Sequence, residues 1–292
     1  MVKIWGHRGC KGEREGSKGS NPPENSLASF GEAIKQGADG FELDVFLTKD
    51  NKLVVFHDDT LERMSNGAGN ITDYTLTELR SLRLKDNKGQ LTELQIPTLD
   101  EVLDLADKAR EQTPAFTVNI EIKEDVKGRN IAREVSDAIE SRLQQGWTTS
   151  NFQVSSFDMG SLRKMKEAKP EIPRGALFEG PIPPVAPWDI SEELLAQRLQ
   201  ENADLVKGGT VNITLPSMTP KAVGMIKAVG ATPVAWTSGE VSPDILMQGD
   251  KGRATARRIL DSGLDAMITD YPEEMRKLLA MYASKTESRA FD

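Results

Sequence analysis

Three carboxylates lie in two short apolar segments, at spacings that predict a shared site for their side chains. Glu42 and Asp44 lie two residues apart in GFELDV, and Glu121 lies in TVNIEIK. Because the side chains of a strand alternate between its two faces, Glu42 and Asp44 point the same way. Carboxylates that share a face of an apolar strand repel each other and lose hydration, so they need a counter-charge. This all-oxygen set suits one divalent cation, Mg²⁺ or Ca²⁺, rather than zinc or copper.

The chain has two histidines, and each ends an apolar run and precedes a charged residue. His7 is followed by Arg8, and His57 is followed by Asp58. In a parallel barrel the carboxyl ends of the strands form the active-site face, and both histidines lie at such ends of predicted strands. Imidazole suits proton transfer near neutral pH, so we interpret His7 and His57 as acid/base candidates rather than structural histidines.

Positive charge accompanies the carboxylates. Arg8 follows the first histidine, and the strand alternation places Lys123 on the same face as Glu121. A guanidinium fork fits phosphate oxygens, and an ammonium acts as a movable point charge. A metal, two cations and two histidines describe a site for phosphoryl transfer or hydrolysis. For Glu121 and Lys123 the alternative is a buried ion pair at the end of a strand.

The elements that must position these residues alternate between strands and helices. Nine segments have the pattern of strands: KIWGH, GFELDV, LVVFHD, TVNIEIK, FQVSSF, RGALF, TVNI, TPVAWTS and AMITD. Helical patterns fill most of the intervals, at 24–37, 96–110, 129–146, 159–169, 191–202, 219–230 and 254–263. Such alternation in a chain of 292 residues predicts an α/β fold, a TIM (β/α)8 barrel.

The connection between the second and third strand patterns is too short for a regular barrel, in which a helix joins successive strands. TKDNK separates the second and third strand patterns and leaves no room for a helix, so it predicts a hairpin centred near Asp50. Such a hairpin sets Asp44 opposite Phe56. It also sets Glu42 opposite Asp58, so its open end gathers carboxylates beside the second histidine. We therefore expect a local departure from regular barrel geometry here.

Two segments have no place among the barrel elements. Residues 58–95 read as a small insertion after the third strand, with turn signals at NGAG and DNKG, and 10–21 form a glycine-rich charged loop. Both follow strand ends of the expected catalytic face, so they either shape a pocket or are solvated loops. We predict a single barrel domain over 1–283, with 58–95 as a cap segment, and a polar, frayed tail over 284–292.

Composition excludes several classes of protein. The net charge of −8 argues against a nucleic-acid surface, and a single cysteine excludes an intrachain disulfide and a cysteine zinc cluster. We see no signal peptide, no apolar stretch long enough to span a membrane, and no P-loop or dinucleotide fingerprint. We expect a soluble cytoplasmic protein without stable membrane insertion. Its oligomeric state is left open.

A series of short motifs in the same order resembles the glycerophosphodiester phosphodiesterase family. The motifs are HRG (7–9), PENS (23–26), ELDV (42–45), TKD (48–50), HDDTLER (57–63), EIK (121–123), SSFD (155–158) and ITDYP (268–272). They extend the resemblance from about residue 3 to about residue 278. Two departures fall at the rim of the pocket: the long 10–21 loop between HRG and PENS, and WTSGE, where the family often has an Asn soon after Trp-Thr.

The resemblance implies a metal-dependent TIM barrel that hydrolyses glycerophosphodiesters to sn-glycerol 3-phosphate and an alcohol. By position it implies metal ligands at Glu42, Asp44 and Glu121, an acid/base pair at His7 and His57, and phosphate contacts from Arg8 and Lys123. Glu24 would orient Arg8, or simply complement the dipole at the start of a helix. Trp236, in the eighth strand, would pack against the glycerol side of the pocket, or be an ordinary barrel residue.

Three functions compete at this stage. A hydrolase of small glycerophosphodiesters ranks first, whether the substrate's own hydroxyl attacks to give a cyclic phosphate or water attacks directly. A lipase-like relative that cleaves lysophospholipid or sphingomyelin headgroups ranks second, because it needs an apolar rim and the loops here are charged. A non-catalytic barrel that binds phosphate esters ranks last, since every motif residue is present.

Overall fold

The computed structural model describes residues 2–11, 21–124, 127–180, 189–237 and 261–287, together with positions 254, 257 and 259. The strands are β1 (Lys3–His7), β2 (Gly40–Leu47), β3 (Leu53–Val55), β4 (Thr117–Ile122), β5 (Phe152–Ser156), β6 (Arg174–Leu177), β7 (Thr210–Thr214), β8 (Thr232–Trp236) and β9 (Ala266–Thr269). Every segment with a predicted strand pattern therefore forms a strand.

The helices lie between the strands, as the barrel requires. They are α1 (Leu27–Lys35), α2 (Leu76–Arg80), α3 (Leu99–Gln112), α4 (Ile131–Gln144), α5 (Met159–Ala168), α6 (Glu192–Glu201), α7 (Ala203–Val206), α8 (Pro220–Ala228) and α9 (Pro272–Glu287). Six of the seven predicted helices are found; five lie within the predicted bounds, and α3 starts later and ends two residues later than predicted. The seventh, at 254–263, falls on residues of which only part is described, and the WTSGE departure runs beyond residue 237.

Eight parallel strands close into the predicted TIM barrel. In the order β1, β9, β8, β7, β6, β5, β4, β2 each strand is hydrogen-bonded to the next, and β1 also pairs with β2 to close the ring. Apolar side chains from the strands and the surrounding helices form one large buried core, which includes Phe30, Phe41 and Phe116. The closed ring explains why the carboxyl ends of separate strands meet around one opening.

The third strand lies outside the barrel. β3 pairs antiparallel with the end of β2, with Val45 opposite Val55. The backbone N–H of Phe56 donates to the carbonyl of Asp44 at 3.0 Å, so the predicted hairpin register is confirmed. The sequence argument for His57 needs correction, however, because β3 is not a parallel barrel strand. His57 reaches the opening because β2 extends past the rim and β3 runs back toward it.

Residues 58–95 form a compact unit over the hairpin. They contain a short 3-10 helix (Ile71–Asp73) and α2, and positive φ angles at Gly69 and Gly89 mark the two predicted turns. A separate apolar cluster joins this segment to the hairpin: Phe46, Val54, Phe56, Leu61, Met64, Ile71, Leu79, Leu84 and Ile96. The segment is therefore packed in place rather than a solvated loop.

The end of the last helix overlaps the predicted tail. The last helix continues to Glu287, so it includes the first four residues of the 284–292 stretch, and 288–292 lie outside the described residues. No helix among the described residues combines the length and apolar character needed to cross a membrane.

Candidate active site

The three predicted metal ligands meet at the opening of the barrel. Glu42 and Asp44 project from β2 and Glu121 projects from β4, where Asp44 and Glu121 are register partners. One oxygen from each carboxylate lies within 4.8 Å of the others, and all three residues are buried. Burial, then the charges of Asp44 and Glu121, raise the pKa of Glu42 well above its usual range.

Cationic and amide donors surround Asp44. Its two oxygens accept from the Lys123 ammonium and from the Asn25 amide, each at 2.8 Å, and Arg8 Nε lies 3.6 Å away. Against the effect of burial, Lys123, His57 and Arg8 lower the pKa of Asp44. Lys123 also contacts Glu121 at 2.5 Å. The three carboxylates offer only oxygen ligands, and a hard divalent cation would offset the repulsion that raises the pKa of Glu42.

His7 is held by a carboxylate from the last strand. Its Nδ1 lies 2.7 Å from Asp270 Oδ1, and its Nε2 lies 4.0 Å from Glu42. Burial, then the charges of Lys11 and Arg8, lower the pKa of His7 to about 4, against the opposing effect of Asp270. The ionised carboxylate assigns the proton to Nδ1, so Nε2 is the nitrogen that faces the cavity.

His57 ends a chain of charged hydrogen bonds. Its Nδ1 lies 2.6 Å from Asp58 Oδ1, and Arg63 donates to both oxygens of Asp58 at 2.5 and 2.8 Å. Arg63 also donates to Glu24 at 2.6 Å, and the same Glu24 oxygen accepts from Arg8 at 2.9 Å. The predicted contact between Glu24 and Arg8 is therefore present, and it links the arginine at the opening to the second histidine.

The HRG turn positions Arg8 by a left-handed backbone conformation. Arg8 has φ 51°, its N–H donates to Glu42 at 3.1 Å, and its carbonyl accepts from the Ser29 hydroxyl at 2.9 Å. Gly9 follows with φ 90°, and a Cβ at this position would lie 2.4 Å from Ser29 Oγ. Glycine is therefore required at Gly9 both for its backbone angle and for the close approach of α1.

Many of these side chains line one open cavity of about 790 Å³. Its lining is His7, Arg8, Lys11, Glu42, His57, Asp58, Asp59, Thr60, Asn119, Glu121, Lys123, Glu124, Ser155, Phe157, Leu177, Glu179, Trp236 and Ile268. Trp236 both lines the cavity and packs against an apolar cluster with Trp5 and Val234. Its position agrees with either interpretation, and the contact with glycerol stays a prediction. All nine predicted site residues lie in or directly behind this wall.

Four residues that contact the predicted site residues were assigned no role from the sequence. Asp270 and Arg63 lie inside the ITDYP and HDDTLER motifs, and Asn25 lies inside PENS. Membership in these motifs could therefore have identified all three as candidate site residues. Lys11 is the second residue of the 10–21 loop, and its Nζ lies 3.7 Å from both Glu24 and Asp270. No signal in the sequence pointed to Lys11, because its partners come from distant parts of the chain.

Comparison with protein-family models finds one match over most of the chain. The model of the glycerophosphoryl diester phosphodiesterase family matches residues 7–274. A glycerophosphodiester phosphodiesterase from Bacillus altitudinis is 36% identical, over 95% of this chain and 98% of that protein. Another, from Caldanaerobacter subterraneus subsp. tengcongensis, is 32% identical, over 89% of this chain and 93% of that protein.

A solved structure has the same fold. It is an Oleispira antarctica phosphodiesterase in complex with the product sn-glycerol-3-phosphate, 27% identical in sequence. The alignment has a TM-score of 0.68 and covers 96% of this chain and 97% of the other.

Proposed function

This chain belongs to the glycerophosphoryl diester phosphodiesterase family, and from that premise we propose a metal-dependent hydrolysis assisted by two histidines. The chain is thereby a phosphoric diester hydrolase. In the proposed reaction, a glycerophosphodiester and water give sn-glycerol 3-phosphate, the product bound in the related Oleispira antarctica structure, and a free alcohol. One observation carries the proposal: buried carboxylates, paired cations and two carboxylate-held imidazoles face one cavity.

We infer that Arg8 and Lys123 bind the phosphate. Both are held by carboxylates and both line the cavity, so their charged ends are fixed before a substrate arrives. Glu42, Asp44 and Glu121 would hold one divalent cation, Mg²⁺ or Ca²⁺. When bound, this ion neutralises charge on the phosphate oxygens.

The two imidazoles move the protons. His7 and His57 each have Nδ1 tied to a carboxylate, which leaves Nε2 toward the cavity. One of them accepts the proton of the attacking hydroxyl or water. The other donates a proton to the oxygen of the leaving alcohol as the P–O bond breaks. The carboxylates Asp270 and Asp58 fix the orientation of the two rings and stabilise their protonated forms.

Release of glycerol 3-phosphate tests the reaction and its metal requirement. The substrates are glycerophosphocholine, glycerophosphoethanolamine and glycerophosphoglycerol, first in EDTA and then with Mg²⁺ or Ca²⁺ restored. We expect release only with a metal. Release that persists in EDTA contradicts the metal proposal, and no release with either ion contradicts the activity and directs attention to lysophospholipid or sphingomyelin headgroups.

Leaving-group dependence tests the two histidines. We expect His7→Ala and His57→Ala each to lower kcat by a factor of about 10² to 10⁴ with natural esters. With a nitrophenyl ester, whose leaving group needs no proton, the loss should shrink for the variant that lacks the acid. Equal losses with both esters for both variants would contradict the division of roles. Domain limits of 1–283 and a cytoplasmic location stay predictions.

A further inference from the structure

The 10–21 loop contributes Lys11 to the wall of the cavity, and the proposed reaction gives this residue no part. Its side chain is 23% exposed. The ammonium lies 3.7 Å from Glu24 Oε2 and 3.7 Å from Asp270 Oδ1, which belong to distant parts of the chain. At these distances it forms an ion pair with each carboxylate rather than a short hydrogen bond. Lys11 therefore bridges the two carboxylates.

On one side, the bridge reaches the first histidine. Asp270 Oδ1, the oxygen that faces Lys11, is also the atom that lies 2.7 Å from His7 Nδ1. Burial raises the pKa of Asp270, but interactions with His7 and Lys11 outweigh it and lower this pKa below its usual range. Lys11 therefore helps to keep the partner of His7 ionised and in place.

On the other side, the bridge reaches the second histidine through a series of charged contacts. The other oxygen of Glu24, Oε1, accepts from Arg63 at 2.6 Å, and Arg63 donates in turn to both oxygens of Asp58. Asp58 Oδ1 lies 2.6 Å from His57 Nδ1. Acidic and basic side chains thus alternate without a break from one imidazole to the other, in the order His7, Asp270, Lys11, Glu24, Arg63, Asp58, His57.

The backbone on either side of the Lys11 side chain is also held. The N–H of Cys10 donates to the carbonyl and to the hydroxyl of Ser29, at 3.1 and 2.9 Å. The carbonyl of Lys11 accepts from the Asn21 side-chain amide at 3.3 Å, so the two ends of the 10–21 loop meet there. A lysine side chain is flexible, and the two carboxylates define where its charged end lies.

We propose that Lys11 is a positioning residue that joins the partners of His7 to the partners of His57, so that the two imidazoles are held in one frame. The proposal rests on the proposed hydrolase function and adds how its acid and its base are kept in register. One ring serves the attacking oxygen and the other serves the leaving oxygen, so their relative position affects the rate. In this role Lys11 acts through Asp270 and Glu24, not by contact with the reacting atoms.

Steady-state kinetics of Lys11→Met with glycerophosphoethanolamine, in the metal-loaded enzyme, test this role. We expect kcat to fall by about three- to tenfold with little change in KM, because partly exposed ion pairs contribute modestly and the substrate loses no contact. Lys11→Arg keeps the charge and should recover most of the loss. The matched control Lys35→Met removes an exposed lysine of α1 and should leave both constants unchanged.

Double variants show whether Lys11 acts through the two carboxylates. With Asp270→Asn or Glu24→Gln already in place, Lys11→Met should lower kcat by a smaller factor than it does alone. Losses that multiply as independent factors overturn the proposal. A rise in KM at constant kcat also overturns it, because Lys11 then binds the substrate directly.

A spectroscopic measurement separates this inference from the proposed function. The chain has only two histidines, so nuclear magnetic resonance spectra of untagged protein with isotope-labelled histidine resolve both rings without any substrate. We expect Lys11→Met to shift the ring signals of both His7 and His57, and Lys35→Met to shift neither. A shift confined to His7 overturns the link between the rings, whatever the activity. Shifts of both rings in a protein that turns over no ester with either metal overturn the hydrolase function, and with it the catalytic role of the link.

Discussion

Glu24 should make the stability of the protein depend on pH in a way that one substitution removes. Its side chain is 9% exposed and contacts Arg8 and Arg63. Against the effect of its burial, Arg8, Arg63 and Lys11 lower its pKa to about 2. An unfolded chain returns this carboxyl to an ordinary pKa near 4.5. Replacement by Gln keeps the shape and removes the charge.

The sign and size follow from proton linkage. A folded-state pKa below the unfolded value means that ionised Glu24 stabilises the fold above about pH 4.5, and that this stability is lost as pH falls toward 2. A difference of about 2.5 pKa units corresponds to about 3 kcal/mol at pH 7. The same relation leaves only about 1 kcal/mol at pH 3. Any hydrogen bond that Gln keeps with either arginine makes the measured loss smaller.

Urea unfolding followed by circular dichroism, in EDTA and at several pH values from 7 to 3, measures this effect. We expect the difference between wild type and Glu24→Gln to be largest at pH 7 and to shrink by about 2 kcal/mol by pH 3. Glu93→Gln, at an exposed site, should run parallel to the wild type. A Glu24→Gln curve that is also parallel to the wild type would refute the argument.

Three further changes test the rest of the site. Glu42→Gln should weaken divalent-cation binding at least tenfold by calorimetry, because it removes one of three buried ligands; an unchanged affinity removes Glu42 from the ligand set. Arg63→Lys should lower kcat about tenfold with little change in KM, because an ammonium cannot hold both oxygens of Asp58. Added guanidinium should partly restore the kcat of Arg63→Ala. An unaffected kcat in these variants refutes the coupling between Arg63 and His57. Gly9→Ala should destabilise the protein by about 2 kcal/mol or more in thermal unfolding. The control Gly69→Ala, at a position with a similar φ and open space for a Cβ, should destabilise it less. Equal shifts of the melting temperature in the two variants would show that the protein relieves the contact with Ser29.

The strand alternation was enough to predict the central part of the site. Glu42, Asp44 and Glu121 meet because period two places all three on the inner face of neighbouring strands, and this needs only local pattern and the parallel fold. The hairpin register followed from turn length in the same way. Lys123 was predicted on the same grounds, and its ammonium contacts both Asp44 and Glu121.

Partners from distant parts of the chain could not be predicted by such rules. Asp270 reaches His7 across 263 positions, because β9 and β1 are neighbours only once the ring is closed. Arg63 reaches Glu24 only after the 58–95 segment has packed over the hairpin. Periodicity gives the face of a side chain but not which loop will lie above it. The predicted hairpin already implied that β3 runs antiparallel to β2, so only the reasoning that placed His57 at the end of a parallel barrel strand needed correction.

The position of the second histidine therefore depends on how firmly the hairpin is held above the rim. Its turn accepts hydrogen bonds from Arg129, which donates to the carbonyls of Leu47 and Thr48 at 2.8 and 2.5 Å. Asp50 accepts from the Thr48 hydroxyl at 2.7 Å and from the backbone N–H of Leu76, at the start of α2, at 2.9 Å. The turn is thus tied both to the barrel and to the inserted segment. Because the strand that leads to His57 starts from this turn, a change at Arg129 would move the imidazole without touching the site.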